Sequence, residues 1–382
     1  VIVLRDDPVV LSGEVDLEAQ LASPVEVVDL DHRALGTAVV ARAIDAGRIV
    51  IGVSAEPHRW RKVPDADVLL TPAPHAPAPW VSADVDASIT AIDQLTRRVP
   101  SASLAFVELL RAGVGRSVGE RIVAESVTYA MLQASGEFAR WLAERRPRTH
   151  YPNRTPAVLA ERHDGRLLIT LNRPAVRNAL DVAVRDAVHE LVELVHLDPS
   201  ITEVILQGAG PAFCCGGDVS EFGSMDDPAL GHRVRMARSV ALGLHRCADR
   251  LTVRVHGVVI GAGLEIAAFA HRVVADRSAR FALPEIAMGL VPGAGGSASI
   301  PARIGRERAA YLALSNCSID AATGFEWGLV DELVDDHPAG WASPRRNTSD
   351  RDARGHSVEH GATDGAGSSV ATVAQGEGGG EQ

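Results

Sequence analysis

Lysine is almost missing: Lys62 is the only one in a chain of 382 residues, and arginine carries the rest of the fixed basic charge. That bias reads as the mark of a GC-rich coding sequence rather than of a function. Basic charge as a whole is in deficit, with 38 Lys and Arg against 49 Asp and Glu and a net charge of −11. A surface of that sign excludes nucleic acid and anionic membrane as partners. Cysteine is scarce too. Cys214, Cys215, Cys247 and Cys317 show no C-x-x-C spacing, and a vicinal pair does not readily chelate one metal, so no metal site is expected. Buried reduced thiols and a cytoplasmic location are the expectation. The longest apolar region, Val253 to Ala275, is broken by Arg254, His256, Glu265, His271 and Arg272, which excludes a membrane-spanning helix. Arg5, Asp6 and Asp7 interrupt the early apolar run, so no signal peptide is read.

The residues that are present suit a globular chain: 46% are hydrophobic and 23% charged, at a length that fits two domains. In residues 1–155, Val25 to Leu30, Arg48 to Val53 and Asp67 to Leu70 read as short strands. Thr71 to Trp80, with four prolines, reads as an extended loop. Ser88 to Arg98, Ser103 to Arg111 and Val118 to Arg145 have helical periodicity. In the last, Ile122, Val123, Ser126, Val127, Ala130, Met131, Ala134 and Phe138 are expected to form the buried face, with Glu125, Tyr129 and Glu137 beside it as surface or cap residues. A polar, proline-containing linker, Arg146 to Pro156, separates this small α/β unit from residues 156–335, where strands alternate with helices and imply parallel β units. From 336 to 382 the apolar content collapses, and the tail reads as disordered.

Two stretches of the second unit are glycine-rich and follow β-prone runs: Ala212-Phe213-Cys214-Cys215-Gly216-Gly217-Asp218-Val219 and Val258-Val259-Ile260-Gly261-Ala262-Gly263-Leu264-Glu265. Glycine lets the backbone approach a ligand and frees amides to point at it. The second stretch also opens a helix, Leu264 to Ala270, where unpaired amides favour negative charge. Two such turns facing each other suit a developing oxyanion.

With these turns in view, residues 167–334 resemble the enoyl-CoA hydratase/isomerase family, the crotonase superfamily. The resemblance rests on five blocks in order. They are Asn172-Arg173-Pro174 with Asn178-Ala179-Leu180, the two glycine turns, Leu283-Pro284-Glu285 followed by Gly289 to Gly296, and Trp327-Gly328-Leu329-Val330-Asp331. The implied fold is a repeated ββα superhelix with the active site at its turns. The implied chemistry is stabilisation of an enolate-like charge on a thioester oxygen by the backbone amides of Gly217 and Ala262. Glu265 and Glu285 fall on the family's paired glutamates: Glu265 is expected to act on water and Glu285 on C2, with Glu265 the more easily ionised of a coupled pair. The resemblance also places Arg173 and Arg177 near the CoA phosphates, and Cys215, Asp218, Val219 and Gly293 around the substrate. His256 and Asp331 read as structural.

The expected reaction is hydration of a trans-2-enoyl-CoA, as in fatty acid metabolism. No cofactor is expected beyond the CoA of the substrate, and the family implies a homotrimer or hexamer. The alternatives are an enoyl-CoA isomerase or other reaction of the family, and a truncated, non-catalytic acyl-CoA-binding subunit. The last is motivated by a tail without the periodic apolar positions of the family's covering C-terminal helices. If another segment replaces that cover, Val118 to Arg145 is the first place to look. Pro292 to Gly296 lacks both the G-x-G-x-x-G and the Gly-Lys-Ser/Thr pattern, so a nucleotide loop is rejected.

Overall fold

The computed structural model describes residues 24–335 except 32, 61, 64, 147–150 and 153–154. The tail expected from 336 to 382 lies outside the described residues, as do residues 1–23 and part of the linker. The first unit is a parallel four-stranded sheet in the order β1 (Val25–Asp29), β2 (Ile49–Val53), β3 (Val68–Thr71), β4 (Val81–Ser82), with α1 (Arg33–Asp45) between β1 and β2. Both faces are covered, and the side chains divide with the period of two that a strand imposes. Val25, Val27, Ile49, Ile51, Val68 and Leu70 join the main core, while Val28, Val50 and Leu69 pack with Val40 and Trp80 in a second cluster.

Four helices follow: α2 (Val85–Arg98), α3 (Pro100–Ala112), α4 (Val118–Gln133) and α5 (Gly136–Glu144). A reciprocal cap starts α4: the Ser117 hydroxyl accepts from the Glu120 amide, and the Glu120 carboxylate accepts from the Ser117 amide. The single helix expected over 118–145 is two. Ser135, with extended backbone, accepts from the Phe138 amide and begins α5 anew. The expected buried face of α4 also needs correction. Val123, Val127 and Met131 are 44%, 52% and 58% exposed, whereas Ile122, Glu125, Ser126, Ala130 and Leu132 are buried. Hydrophobic spacing marked two overlapping stripes on this helix, and packing chose the one that carries polar groups.

The second unit has the expected ββα spiral. Its main sheet runs β13 (Glu332–Val334), β10 (Arg272–Asp276), β8 (Leu251–Val255), β7 (Glu203–Gly208), β6 (Arg166–Leu171), β5 (Val158–His163), parallel throughout except for the β5–β6 hairpin. After each of β6, β7, β8 and β10 the chain steps into a second layer before turning on. In that layer Leu180 bridges Gly217, Cys214 bridges Val259, and β9 (Val258–Ile260), β11 (Arg280–Ala282) and β12 (Ser318–Asp320) form a small sheet. The helices are α6 (Val182–Leu197), α7 (Pro228–Ala237), α8 (Val240–Arg246), α9 (Ala262–Ala267), α10 (Gly296–Ile304), α11 (Arg306–Leu314) and α12 (Ala321–Trp327). The chain breaks between α7 and α8, where Ser239 caps the second by accepting from the Leu242 amide. None of the described helices is long and apolar enough to cross a membrane.

One hydrophobic core runs through both units, from Val25 and Phe106 to Val253 and Ile300. At their junction α11 packs on β3, α2 and α3. Buried Arg308 donates to the carbonyls of Trp80 and Ala76 and lies 5.3 Å from the Trp327 ring centroid. Glu137, read as a surface or cap residue, is buried and accepts from the Ser101 and Ala102 amides at the start of α3.

The first glycine turn is held by Asn178, which is fully buried in a left-handed conformation (φ 55°). Its side-chain amide donates to the carbonyls of Ala209, Ala212 and Phe213 at 2.8, 2.8 and 3.1 Å, and its side-chain oxygen accepts from the Arg173 amide at 2.8 Å. Asn178→Ala leaves these buried groups without partners and is expected to destabilise the fold by about 3 kcal/mol in urea titration. An unchanged midpoint would mean that water replaces the side chain.

Candidate active site

The two glycine turns meet. Cys214 pairs with the strand end of the second turn: its amide donates to Val258 and its carbonyl accepts from Ile260. This sets Gly216 so close that a Cβ on it would lie 3.1 Å from the Ile260 carbonyl oxygen and 3.8 Å from the Ala262 nitrogen. On the other side, Leu180 donates to Gly216 and accepts from Asp218, which fixes the peptides on either side of Gly217. Among the described residues, neither the Gly217 nor the Ala262 amide donates to a protein acceptor. Both turns line a cavity of ≈ 290 Å³ that also contains Asp218, Glu265, Glu285 and Gly293.

Glu265 projects from α9, and its Oε2 accepts from the Ala294 and Gly296 amides at 2.7 and 2.8 Å. Burial lifts its carboxyl to about 7, and those loop amides pull it back. Glu285 begins a short 3-10 turn, Glu285–Met288. Its Oε2 is buried without a hydrogen-bond partner. Burial first, and then the charge of Glu265, hold its carboxyl well above the usual range. Gly261 is required beside it: the residue has φ 52°, and a Cβ there would come within 2.2 Å of Glu285 Oε1. Donors that favour ionisation reach Glu265 but not Glu285 Oε2, and they are not the ones expected. The amides that favour Glu265 ionisation come from the loop at 293–296 rather than from the helix that bears it. One carboxyl that keeps its proton and one that titrates near neutrality can give a proton to, and take one from, the same bound molecule.

The residues expected around the substrate divide. Gly217, Ala262, Glu265, Glu285, Asp218 and Gly293 come together in the cavity. Arg173 does not face the CoA phosphates as expected. It is 4% exposed, pairs with Asp181 and Asp218, and donates to the carbonyls of Ala179 and Tyr151. A guanidinium between two carboxylates under the first turn is a brace. Cys215 and Val219 lie behind the wall: the thiol of Cys215 faces the Val176 carbonyl at 3.3 Å, and the Val219 carbonyl accepts from Arg145. Arg177 is exposed. His256 packs against the Gly210 carbonyl, and Asp331 accepts from the Val273 amide and Arg303, as structural residues do.

The cavity has a wall that sequence reasoning assigned no chemistry. Helix α4 contributes Ile122, Glu125, Ser126, Tyr129 and Gln133 to it. Glu125 is 1% exposed; its Oε1 accepts from the Gly295 amide and its Oε2 from the Ser297 amide and hydroxyl, each at 2.7 Å. Burial first, and then the charge of Glu265, raise its carboxyl to about 8. Tyr129 sits one turn on, and burial keeps its phenol protonated. Arg235 of α7 lies 4.6 Å from the Tyr129 ring centroid and donates to Ser126 and Gln133. The signal available in the sequence was the run of polar Glu125, Ser126 and Tyr129 along an otherwise apolar helix.

A model of the enoyl-CoA hydratase/isomerase family matches residues 161–338. A 2,3-dehydroadipyl-CoA hydratase of Escherichia coli is 35% identical over 176 residues, covering 46% of this chain and 68% of the relative. The chain belongs to this family. A 1,2-epoxyphenylacetyl-CoA isomerase of Escherichia coli is 33% identical, covering 47% of this chain and 70% of the relative. A mevalonyl-coenzyme A hydratase of Aspergillus fumigatus is 31% identical, covering 44% and 63%. The chain thus spans about two thirds of the length of these curated relatives. Among solved structures, an enoyl-CoA hydratase of Mycobacterium smegmatis has a TM-score of 0.45 at 31% identity, covering 47% of this chain and 71% of that one. The family model matches the second unit, so α4 and its carboxylate stand outside the residues it covers.

The site makes a prediction about stability. An unfolded glutamate has a pKa of about 4.3, below the folded values of about 7 for Glu265 and about 8 for Glu125. The folded state therefore retains protons that the unfolded state gives up. The stabilisation this provides is complete below pH ~4 and is lost as pH rises through the folded values. The melting temperature should be lower at pH 9 than at pH 6. A value that holds or rises across that window in calorimetry would contradict the burial of these ionisable carboxyls.

Proposed function

We propose that this chain adds water across the double bond of a trans-2-enoyl-CoA. The Gly217 and Ala262 amides donate to the thioester oxygen as it takes on negative charge; each donor contributes about 3–4 kcal/mol in such sites. Glu265 takes a proton from the attacking water, whose oxygen bonds to C3. The C2–C3 π electrons move toward the thioester, and Glu285 delivers a proton to C2. The incoming water thus supplies one proton to Glu265 while Glu285 gives up another, and a return transfer restores the pair. CoA enters as part of the substrate, and Arg177 on the exposed loop is the side chain proposed to meet its phosphates.

The observation that carries this reading is the convergence in one cavity of two unpartnered amides and two carboxyls, one held by loop amides and one with an oxygen that meets no donor. Membership of a family that includes both hydratases and isomerases supports the acyl-CoA chemistry, and the paired glutamates favour hydration within it. Isomerisation is the neighbouring reading: it relocates one proton and can be served by Glu285 alone.

The expected outcome is that Glu265→Gln and Glu285→Gln each lower kcat about a hundredfold or more with the fold intact, because each removes one acid/base group. Steady-state kinetics on enoyl-CoA substrates of several chain lengths measure it. Loss in Glu285→Gln alone would point to isomerisation. CoA-ester binding without turnover in the unmodified chain would point to a non-catalytic binding subunit. Gly217→Pro, which removes one donor amide, is expected to lower turnover on the order of a hundredfold with both carboxyls in place. Undiminished rate in that folded variant would mean that Gly217 is not a donor.

A further inference from the structure

Loop 293–297 is gripped from two sides, and the alternation of the grip is the observation that matters. Ala294 and Gly296 donate their amides to Glu265, while Gly295 and Ser297 donate theirs to Glu125. Four successive amides leading into α10 are thus divided between two carboxylates, one from α9 and one from α4. The residue at the helix cap, Gly295, has no side chain to accept a hydrogen bond, so the two glutamates satisfy the orphan donors in its place. We propose that Glu125 is a positioning residue for Glu265, acting through the backbone that the two carboxylates share; the proposal rests on the reading of Glu265 as an acid/base group.

The rest of α4 serves the same end. One turn after Glu125, the Tyr129 ring lies against the loop: a Cβ on Gly293 would come within 2.8 Å of two ring carbons. One turn before it, Arg121 donates to the Ser297 carbonyl. The helix is itself held from α7, where Arg235 donates to Ser126 and His232 meets the Ser126 hydroxyl at 2.9 Å. Any displacement of α4 would therefore move the loop amides, and with them the carboxylate that must meet water. An acid/base group misplaced by about 1 Å is enough to cost on the order of a hundredfold in rate.

The two carboxylates are also linked through charge. In a buried site the ionisation of one opposes that of the other, so their protons come off as a pair. The other charged or titratable groups facing Glu125 are Arg121 and Tyr129 on its own helix, Arg235 and His232 from α7, and Glu285 across the cavity. Glu125 holds its proton to higher pH than Glu265, so the charge of Glu265 is what opposes ionisation of Glu125. A group that only capped α10, out of reach of Glu265, would titrate the same with or without that charge.

The test combines kinetics with a readout that needs no turnover. Glu125→Gln should lower kcat by about tenfold or more with KM little changed. Glu125→Asp, which keeps the carboxyl, should retain more of the wild-type kcat than Glu125→Gln. Independently, infrared titration of the carboxyl band should find a group in the wild-type protein that loses its proton above pH 7, and Glu265→Gln should move that titration to lower pH. The proposal is overturned by a folded Glu125→Gln protein with wild-type kcat, or by an infrared titration that Glu265→Gln leaves in place. The infrared arm decides the matter if Glu125→Gln does not fold. It also keeps the coupling measurable if no enoyl-CoA is turned over, so failure of the hydratase reading and failure of this one give different results.

Discussion

Burying a carboxylate costs several kcal/mol unless its oxygens find donors, and here two are buried against the same run of backbone. The amides of 294–297 face one way because they approach the start of α10, where a helix leaves its first N–H groups unpaired. Neither helix end nor glutamates are satisfied without the other. The three carboxyls of the cavity differ chiefly in how many donors reach them. Glu125 accepts three hydrogen bonds, Glu265 at least two on one oxygen, and Glu285 has an oxygen with no partner. Glu285 is held toward its protonated form by burial first and then by its neighbours' charge.

That requirement explains why the first unit is continuous with the second. Helix α4 must be placed closely for its carboxylate to reach the loop, and a unit on a loose tether would not place it. The junction is accordingly built like an interior. Arg308 is buried against β-sheet loop carbonyls and the Trp327 ring, Glu137 caps α3 from α5, and one hydrophobic cluster spans the boundary near residue 155. The same helix forms a wall of the cavity, in the segment named in advance as the place to look for a cover. The reason lies in its face toward the core, which is half polar.

Much of this could be read from residue order alone. The five blocks of the second unit, the strand–turn–helix alternation and the meeting of the two glycine turns follow from local signals. Glycines with a required backbone conformation, β-branched runs and capping residues act over a few positions and leave a mark in the sequence. Glu265 and Glu285 were legible because they lie within two of those blocks, at the positions of the family's paired glutamates. Arg173 was misplaced because an arginine in a loop looks the same whether it meets solvent or two buried carboxylates; Asp181 and Asp218, which decide the matter, lie 8 and 45 positions away.

The role of Glu125 could not be read in that way. Its partners, Gly295 and Ser297, are 170 and 172 residues distant, and a glutamate on an amphipathic helix gives no local sign of which stripe will be buried. Periodicity on α4 allowed a face through Val123, Val127 and Met131, and packing against the loop and α7 exposed it instead. Local backbone chemistry thus wrote the family, the turns and the paired glutamates into the chain. The third carboxylate, the shifted acidities and the cavity wall arise from contacts between distant segments, because burial and hydrogen bonding are properties of an assembled interior and not of any one stretch.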